Sequence, residues 1–230
     1  MNDTLLKWFE ISFDVLYLFT IWVIVILMAR KQVHLTDRSS KVGKLFLASF
    51  FLLALGDTGH VGFRVLAYSL GGLANNPALV GLGALATAIT VTFFYMLVAE
   101  IWRLRFSHRR GILWWVLMLF GVLRLAIMIP SGNMWSSVVP PYGWSLARNI
   151  PLMVQGIGVA ILLLVDGIRH SDGFSKKVSI MIFLSYACYT PVILFIQRVP
   201  MLGMLMIPKT VAYVAIAVIA YRALFRSKEK

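Results

Sequence analysis

The chain has 230 residues, of which 60% are hydrophobic and only 13% are charged, and its mean hydropathy is +0.85. About a quarter of the residues of a soluble domain are charged, so this composition excludes an ordinary soluble protein and predicts an integral membrane protein. The net charge of +13 does not indicate a nucleic-acid partner, because the basic residues lie between apolar runs rather than on one patch.

Seven apolar runs follow one another along the chain, each of the length that crosses a hydrocarbon core of about 30 Å. The first carries Glu10 and Asp14 and is followed by Ala29-Arg30-Lys31, which favours a spanning helix over a cleavable signal peptide. We therefore predict an all-α, multi-pass bundle of seven transmembrane helices in one domain, residues 1–230. The predicted helices lie near residues 5–29, 45–70, 79–103, 112–130, 144–168, 177–197 and 201–225.

The connections between the predicted helices alternate in charge. The second (71–77) and fourth (131–141) contain no Lys or Arg, whereas the first, third and fifth connections and the C-terminal tail are basic. By the positive-inside rule, the N-terminus is predicted outside and the C-terminus in the cytoplasm, in the inner (plasma) membrane of a bacterium. The basic residues are Arg30, Lys31, Arg38, Lys41, Lys44, Arg103, Arg105, Arg109, Arg110, Arg169, Lys176, Lys177, Arg222, Arg226, Lys228 and Lys230.

Three ionisable residues interrupt the second apolar run. Asp57, His60 and Arg64 are spaced i, i+3 and i+7, so a helix places them on one face. Each ionisable group at membrane depth costs at least a few kcal/mol unless it faces a protein interior or a watery cavity. This face is therefore predicted to point into the bundle.

A count of depth along the helices gathers polar residues at one level. With a rise of 1.5 Å per residue, Asp57 lies roughly 18 Å from the cytoplasmic side and Lys209 roughly 12 Å from the outer side, which is nearly the same height. The inner half is expected to be drier, with Glu100, Arg103 and Asp166 near the edge in no buried role. The predicted ligand-binding residues are Asp14, Asp57, His60, Arg64, Arg124, Arg148, Asn149, Gln155, Tyr189, Lys209 and Tyr213.

An excess of basic groups in this layer favours an anionic ligand, because guanidinium groups suit phosphate and carboxylate. Pro151, Pro191 and Pro208 remove backbone donors and are expected to bend helices around a cavity. The predicted function is a sensor, carrier or binding protein with an outward-facing cavity for a small anionic molecule or lipid head group. The lipid bilayer is its expected partner, no cofactor is predicted, and a homo-oligomer is left open.

Two alternatives use the same residues. In the first, buried ion pairs lock the helices together without a ligand. In the second, Asp57 and His60 are the catalytic residues of a lipid hydrolase, with Arg64 and Arg124 stabilising an oxyanion or phosphate. A zinc site is not predicted, because catalytic zinc usually needs three protein ligands and only His60 lies in the membrane. The other histidines, in predicted cytoplasmic loops, are His34, His108 and His170.

The last two helices resemble those of microbial rhodopsins. The stretch Tyr186-Ala-Cys-Tyr189-Thr-Pro191-Val192 is similar to the pattern of a rhodopsin sixth helix, and Lys209 has the place of the retinal lysine. This resemblance implies retinal bound to Lys209 as an alternative cofactor, with Lys209 otherwise a salt-bridge partner of Asp57 or Asp14. The third helix, 86–95, has none of the Arg, Asp and Trp residues of a rhodopsin pocket.

Two further resemblances involve Asp57. The pair Gly56-Asp57 resembles the Gly-Asp pair of lysoplasmalogenase-type membrane hydrolases, which implies a catalytic aspartate, although their second aspartate has no counterpart here. The chain also resembles uncharacterised bacterial membrane proteins of similar length. They share a Gly-Asp-x-x-His-x-x-x-Arg element, from Gly56 to Arg64 here, with Arg148-Asn-Ile-Pro151 and Ile207-Pro-Lys-Thr210.

Overall fold

The computed structural model describes residues 3–32, 37–137 and 139–226 of the chain. Of the residues discussed above, His34, Lys228 and Lys230 lie outside the described residues, as do the side chains of Glu10 and Arg38. Within those three ranges the secondary structure is helical, without a strand. The prediction of an all-α chain is confirmed.

Within these ranges seven α-helices follow one another in the predicted order, and α2 begins at Asp37, eight residues before its predicted start. Six of the helical spans are long and apolar enough to cross a membrane, and the fourth helix is a shorter apolar one. A 3₁₀ segment, Pro200–Leu205, leads into the last helix, and a π-helical turn, Tyr221–Phe225, continues it. The helices are α1 (Asp3–Gln32), α2 (Asp37–Ser69), α3 (Pro77–Arg105), α4 (Ile112–Met128), α5 (Tyr142–Arg169), α6 (Gly173–Phe195) and α7 (Met206–Ala220).

Local chemistry explains where several helices begin and end. Pro77 is the first residue of α3, where its missing N–H would have no helical partner. The Asp172 side chain caps α6 by accepting a hydrogen bond from the backbone N–H of Phe174 at 3.1 Å, so α6 begins four residues before its predicted start. Pro208 lies in the first turn of α7, where a backbone donor is not needed, whereas Pro151 and Pro191 lie inside α5 and α6.

Neighbouring helices run antiparallel. Gly56 and His60 of α2 pack against Thr90 and Gly83 of α3 respectively, so the residue numbers run in opposite directions across the contact. Consequently α1, α3, α5 and α7 finish at the same end of the bundle at which α2, α4 and α6 begin. We call this the basic end, since most of the described Lys and Arg residues of the connections lie there, and the other the opposite end. Arg198, between α6 and α7, lies at the opposite end.

Small residues bring α2 and α3 close together. A Cβ on Gly56 would lie 1.8 Å from Thr90 Oγ1, and one on Gly83 would lie 3.0 Å from His60 Cα. Thr87 Oγ1 donates a hydrogen bond to the Gly56 carbonyl at 3.0 Å. Small side chains allow this close approach, which fixes the face of α2 that carries Asp57.

Aromatic rings fill the centre of the bundle. Phe94 of α3 packs edge to face on Phe50 and on Tyr213, with ring centroids 5.5 Å apart in both pairs. The hydroxyl groups of Tyr95 and Tyr213 share a hydrogen bond of 2.7 Å across the core. This packing joins α2, α3 and α7 and places the polar side chains of α7 against aromatic faces.

Candidate functional site

Asp57 is held by two neutral donors. Tyr17 of α1 donates its hydroxyl hydrogen to Asp57 Oδ2 at 2.5 Å, and Thr87 of α3 shares its one hydroxyl hydrogen between the Gly56 carbonyl and Asp57 Oδ1, which is 3.3 Å away. The carboxylate therefore ties three helices together, as expected of a buried acid that must satisfy its lone pairs. The sequence analysis missed Tyr17, although it lies one helical turn after Asp14 and so on the same face of α1.

His60 and Arg64 continue the column along α2. His60 Nδ1 is buried and forms no hydrogen bond with a described residue, and the ring is within electrostatic range of Arg64 and Lys209. Arg64 lies with Asp14 and Tyr68 beside a small pocket of about 10 Å³ between α1 and α2. The column thus extends from the centre of the bundle towards its opposite end.

Lys209 lies among tyrosine rings. Its Nζ is 4.4 Å from the centroid of the Tyr189 ring and 5.7 Å from that of Tyr213, which are cation–π distances. Asp57 is within electrostatic range, but no carboxylate whose side chain the structure describes forms an ion pair with Lys209 Nζ within 4.0 Å. The salt bridge predicted between Lys209 and Asp57 or Asp14 is therefore not formed.

Arg124 is buried without a carboxylate. Its side chain is 2% exposed, and its Nε donates to the Arg148 carbonyl at 2.8 Å. Its Nη1 donates to the Ala88 carbonyl at 2.9 Å and to Thr92 Oγ1 at 2.7 Å. All of these acceptors are neutral, so Arg124 joins α3, α4 and α5 while its charge is not compensated by these contacts.

Arg148 is also held by neutral groups. Its Nη1 donates to Asn133 Oδ1 at 3.1 Å, and its guanidinium lies 4.5 Å from the ring centroid of Trp135. The next residue, Asn149, accepts a hydrogen bond from the Tyr189 hydroxyl at 3.2 Å. This contact connects α5 with the tyrosine that faces Lys209.

These contacts define what we call the polar layer: Asp57, His60, Arg124, Arg148, Asn149, Tyr189, Lys209 and Tyr213. Of the other predicted site residues, Asp14 and Arg64 lie beside the small pocket, and Gln155 donates to the Leu117 carbonyl at 3.2 Å instead of joining the layer. The layer brings together side chains of five helices, α2 and α4 to α7. Its described cations face carbonyls, an amide, a hydroxyl and aromatic rings.

A second polar cluster lies at the basic end and was not expected. Asp166 is 5% exposed, and its Oδ2 accepts hydrogen bonds from Trp102 Nε1 and His108 Nε2, both at 2.8 Å. Glu100 pairs with Arg103 at 2.5 Å. The expectation that these acidic residues have no buried role is therefore wrong for Asp166. No spacing in the sequence indicates the pairing with His108, which is 58 residues away.

An open cleft lies beside this cluster. Its volume is about 560 Å³, and one wall carries Arg105, whose guanidinium pairs with Asp172. Burial alone would raise the pKa of Asp172, but hydrogen bonds from Arg105 and Ser175 and the charge of Arg105 outweigh it and lower the pKa to about 2. The cleft is lined by Val42, Arg105, Phe106, Ser107, His170, Asp172 and Leu224.

The assignment of a ligand rests on the geometry of the side chains. Across the described ranges, no three or more His, Cys, Asp or Glu side chains are grouped so that they could hold a metal ion. Comparisons of the chain with known protein families, curated proteins and solved structures found no match.

Proposed function

We propose that the chain is a multi-pass protein of a bacterial inner membrane whose polar layer binds a small anionic molecule or a lipid head group. The N-terminus lies outside and the basic end lies in the cytoplasm, which accords with the positive-inside rule. The ligand then enters from the extracytoplasmic side, at the opposite end of the bundle. The protein acts as a sensor, a carrier or a binding protein.

One observation carries this proposal: Lys209 has a place among tyrosine rings with no described carboxylate in ion-pair contact. A charge taken out of water without a counter-charge costs several kcal/mol, and a cation–π contact returns only about 1–2 kcal/mol of this. A bound anion supplies the missing attraction. At a separation of 4 Å the Coulomb energy is about 4 kcal/mol for an effective dielectric constant of 20.

The surroundings of Lys209 add to the preference for an anion. Arg124 and Arg148 are buried near Tyr189, whose ring faces Lys209, and the described hydrogen-bond acceptors of both arginines are neutral. The single carboxylate of the layer, Asp57, already accepts a hydrogen bond from Tyr17. Three cations against one carboxylate leave the layer positive, so an anionic ligand is favoured over a cationic or neutral one.

The test is ligand-induced stabilisation of the purified chain in lipid nanodiscs. We expect phosphatidylglycerol to raise the Tm relative to phosphatidylcholine, and Lys209→Met to lose most of that rise. Lys177→Met, which removes an exposed cation at the basic end, is the matched control and should keep the rise. An equal response of the two variants would contradict the proposal for a lipid ligand, and inorganic phosphate gives the same comparison for a soluble one.

The hydrolase and the retinal protein stay predictions, and the same preparation separates them. Turnover of a lysolipid that is lost in Asp57→Asn and in His60→Ala would replace the binding function by hydrolysis. A visible absorption band that forms on addition of retinal and is absent in Lys209→Met would select the retinal protein. Stabilisation by an anion without turnover or colour supports binding.

A further inference from the structure

The cleft at the basic end is built by four separate segments. The ends of α3 and α5 form two of its walls, and Val42 near the start of α2 and Leu224 of the π-helical turn form the others. Its volume of about 560 Å³ is within the range of small-molecule sites, and it is far larger than the pocket of about 10 Å³ beside Asp14. The function proposed for the polar layer does not use this cleft.

Two helices end beside the cleft with the same backbone geometry. The backbone N–H of His108 donates to the Arg103 carbonyl at 2.9 Å, and that of Asp172 donates to the Gly167 carbonyl at 2.8 Å. In each cap one residue adopts a left-handed conformation, Ser107 with φ of 59° and Ser171 with φ of 53°. Glycine is the usual residue at such a position, and a serine there is strained.

The two serines differ in what they face. Ser107 lines the cleft, whereas Ser171 is not among its lining residues. The Ser107 hydroxyl has no hydrogen-bond partner among the described residues. The left-handed position thus keeps a solvent-exposed hydroxyl group, without a described protein partner, at the wall of the open cleft, where glycine would have none.

His170 supplies a second unpaired polar atom. Its Nδ1 is 2.9 Å from the Asp166 carbonyl oxygen, and because a carbonyl only accepts, Nδ1 must carry the proton and donate. Its Nε2 then has no partner among the described residues. The ring packs against Phe106 with centroids 5.1 Å apart, which holds the imidazole at the cleft.

The remaining walls are apolar or already satisfied. Val42, Phe106 and Leu224 offer hydrocarbon surface, and Arg105 is fixed between Asp172 and the Phe174 ring, 4.4 Å from its centroid. A ligand that fits this lining has an apolar body and one polar group that meets the serine and histidine.

The charge of the basic end decides the sign of that polar group. Its described carboxylates, Glu100, Asp166 and Asp172, are each engaged by a donor of the protein. Helix N-termini and C-termini alternate at this end, so their dipoles largely offset one another. The field is therefore positive and attracts anions. The described basic residues here are Arg30, Lys31, Lys41, Lys44, Arg103, Arg105, Arg109, Arg110, Arg169, Lys176, Lys177, Arg222 and Arg226.

We propose that this cleft is a second ligand site, separate from the polar layer, that binds a small organic anion with an apolar body, such as an aryl or alkyl phosphate. Ser107 donates its hydroxyl hydrogen to an anionic oxygen of this group, Nε2 of His170 accepts the hydrogen of a singly protonated phosphate, and Phe106 packs against the apolar body. The site faces the side of the membrane opposite to the entrance of the polar layer. It takes its ligand either from solution or as the head group of a lipid.

The chain offers a matched pair of variants for the test, with phenyl phosphate as the probe in calorimetric titration of the purified full chain. Ser107→Gly and Ser171→Gly both relieve a left-handed serine, so both should raise the Tm by a similar amount. Only Ser107→Gly removes a hydroxyl group of the site. The Kd of this variant for phenyl phosphate should rise about fivefold, which corresponds to the loss of one hydrogen bond. Equal Kd values in the two variants would overturn the proposal.

Further variants and ligands test whether the probe binds in the cleft rather than in the polar layer, and whether the natural ligand is a lipid or a soluble molecule. His170→Phe keeps the contact with Phe106 and should weaken binding, whereas Lys209→Met should bind phenyl phosphate with the affinity of the original chain. Loss of binding in Lys209→Met would assign the probe to the polar layer and overturn this site, as would equal binding of neutral benzyl alcohol. Competition by phosphatidic acid in nanodiscs supports a lipid source, and its absence supports a soluble one.

Discussion

The polar layer and the basic end use the same kinds of side chain with opposite results. At the basic end, Asp172 pairs with Arg105 and Glu100 pairs with Arg103, so acid and base compensate each other within the protein. In the polar layer, Lys209 faces tyrosine rings and Arg124 faces carbonyl and hydroxyl oxygens. Each of these carboxylates at the basic end is thus paired with a base of the protein, whereas the described cations of the polar layer have no described carboxylate within ion-pair distance.

The largest effect is expected from removing the buried acid of the basic end. Asp166→Leu leaves Trp102 Nε1 and His108 Nε2 without their acceptor, and should lower the free energy of unfolding by about 3 kcal/mol. Reversible unfolding in mixed micelles measures this. Asp166→Asn keeps an acceptor oxygen and should lose less. If Asp166→Leu lowers the free energy of unfolding by less than a surface substitution does, these pairings do not stabilise the bundle.

The pairing of Asp172 predicts a stability that depends on pH. Its pKa is about 2 in the folded chain and 3.8 as the ordinary value, so the folded state binds fewer protons. Its contribution, about 2 kcal/mol, is complete above about pH 5 and disappears as the pH falls towards 2. Unfolding measured between pH 5 and 2 checks this. Asp172→Asn should remove this part of the pH dependence, and an unchanged profile would contradict the assignment.

In the polar layer, removing a charge should stabilise the protein instead of destabilising it. Lys209→Met deletes a cation that has no described carboxylate within ion-pair distance, and it keeps an apolar side chain of similar length. In the absence of ligand it should raise the free energy of unfolding by about 1 kcal/mol. The same unfolding measurement applies, with Lys177→Met as the control. Strong destabilisation by Lys209→Met would show that Lys209 is compensated, and the contrast between the two regions would fail.

The smallest effect separates the ring of Tyr189 from its hydroxyl group. Tyr189→Phe keeps the aromatic face over Lys209 and loses only the hydrogen bond to Asn149, so it should cost about 0.5–1 kcal/mol. Anion-dependent stabilisation should persist in this variant. Tyr189→Leu removes the ring as well and should lower the free energy of unfolding further. Unfolding in micelles measures both variants. Equal losses of stability in the two variants would show that the cation–π contact does not stabilise the protein.

Local sequence patterns predicted the helices. The predicted start of α3 differs from the observed one by only two residues, and Pro77 is the local signal for its first helical turn. The start of α6 was placed four residues late, since an Asp172 cap was not considered, and that of α2 eight residues late. Which helix lies against Gly83 and Thr87 was not predicted, and the structure shows that it is α2, through Gly56 and His60.

Depth counting went part of the way to the site. It selected Lys209, Arg124 and Tyr189, which are neighbours in the structure, because equal height in antiparallel helices is a matter of residue count. It placed Gln155 in the same group, although this side chain bonds the backbone of α4. Height does not specify the direction in which a side chain leaves its helix, so partners such as Tyr17 were not found.

The sequence by itself determined that the chain is helical, where its helices lie and which end is basic, since these depend on hydrophobic length and on charges that are close in sequence. Tertiary structure alone decided the pairings: Asp57 with Tyr17, Asp166 with His108, and Lys209 with tyrosine rings rather than with an acid. The physical reason is rotation. The azimuth of each helix is set by packing against its neighbours, and a change of one residue in register turns a side chain by about 100°.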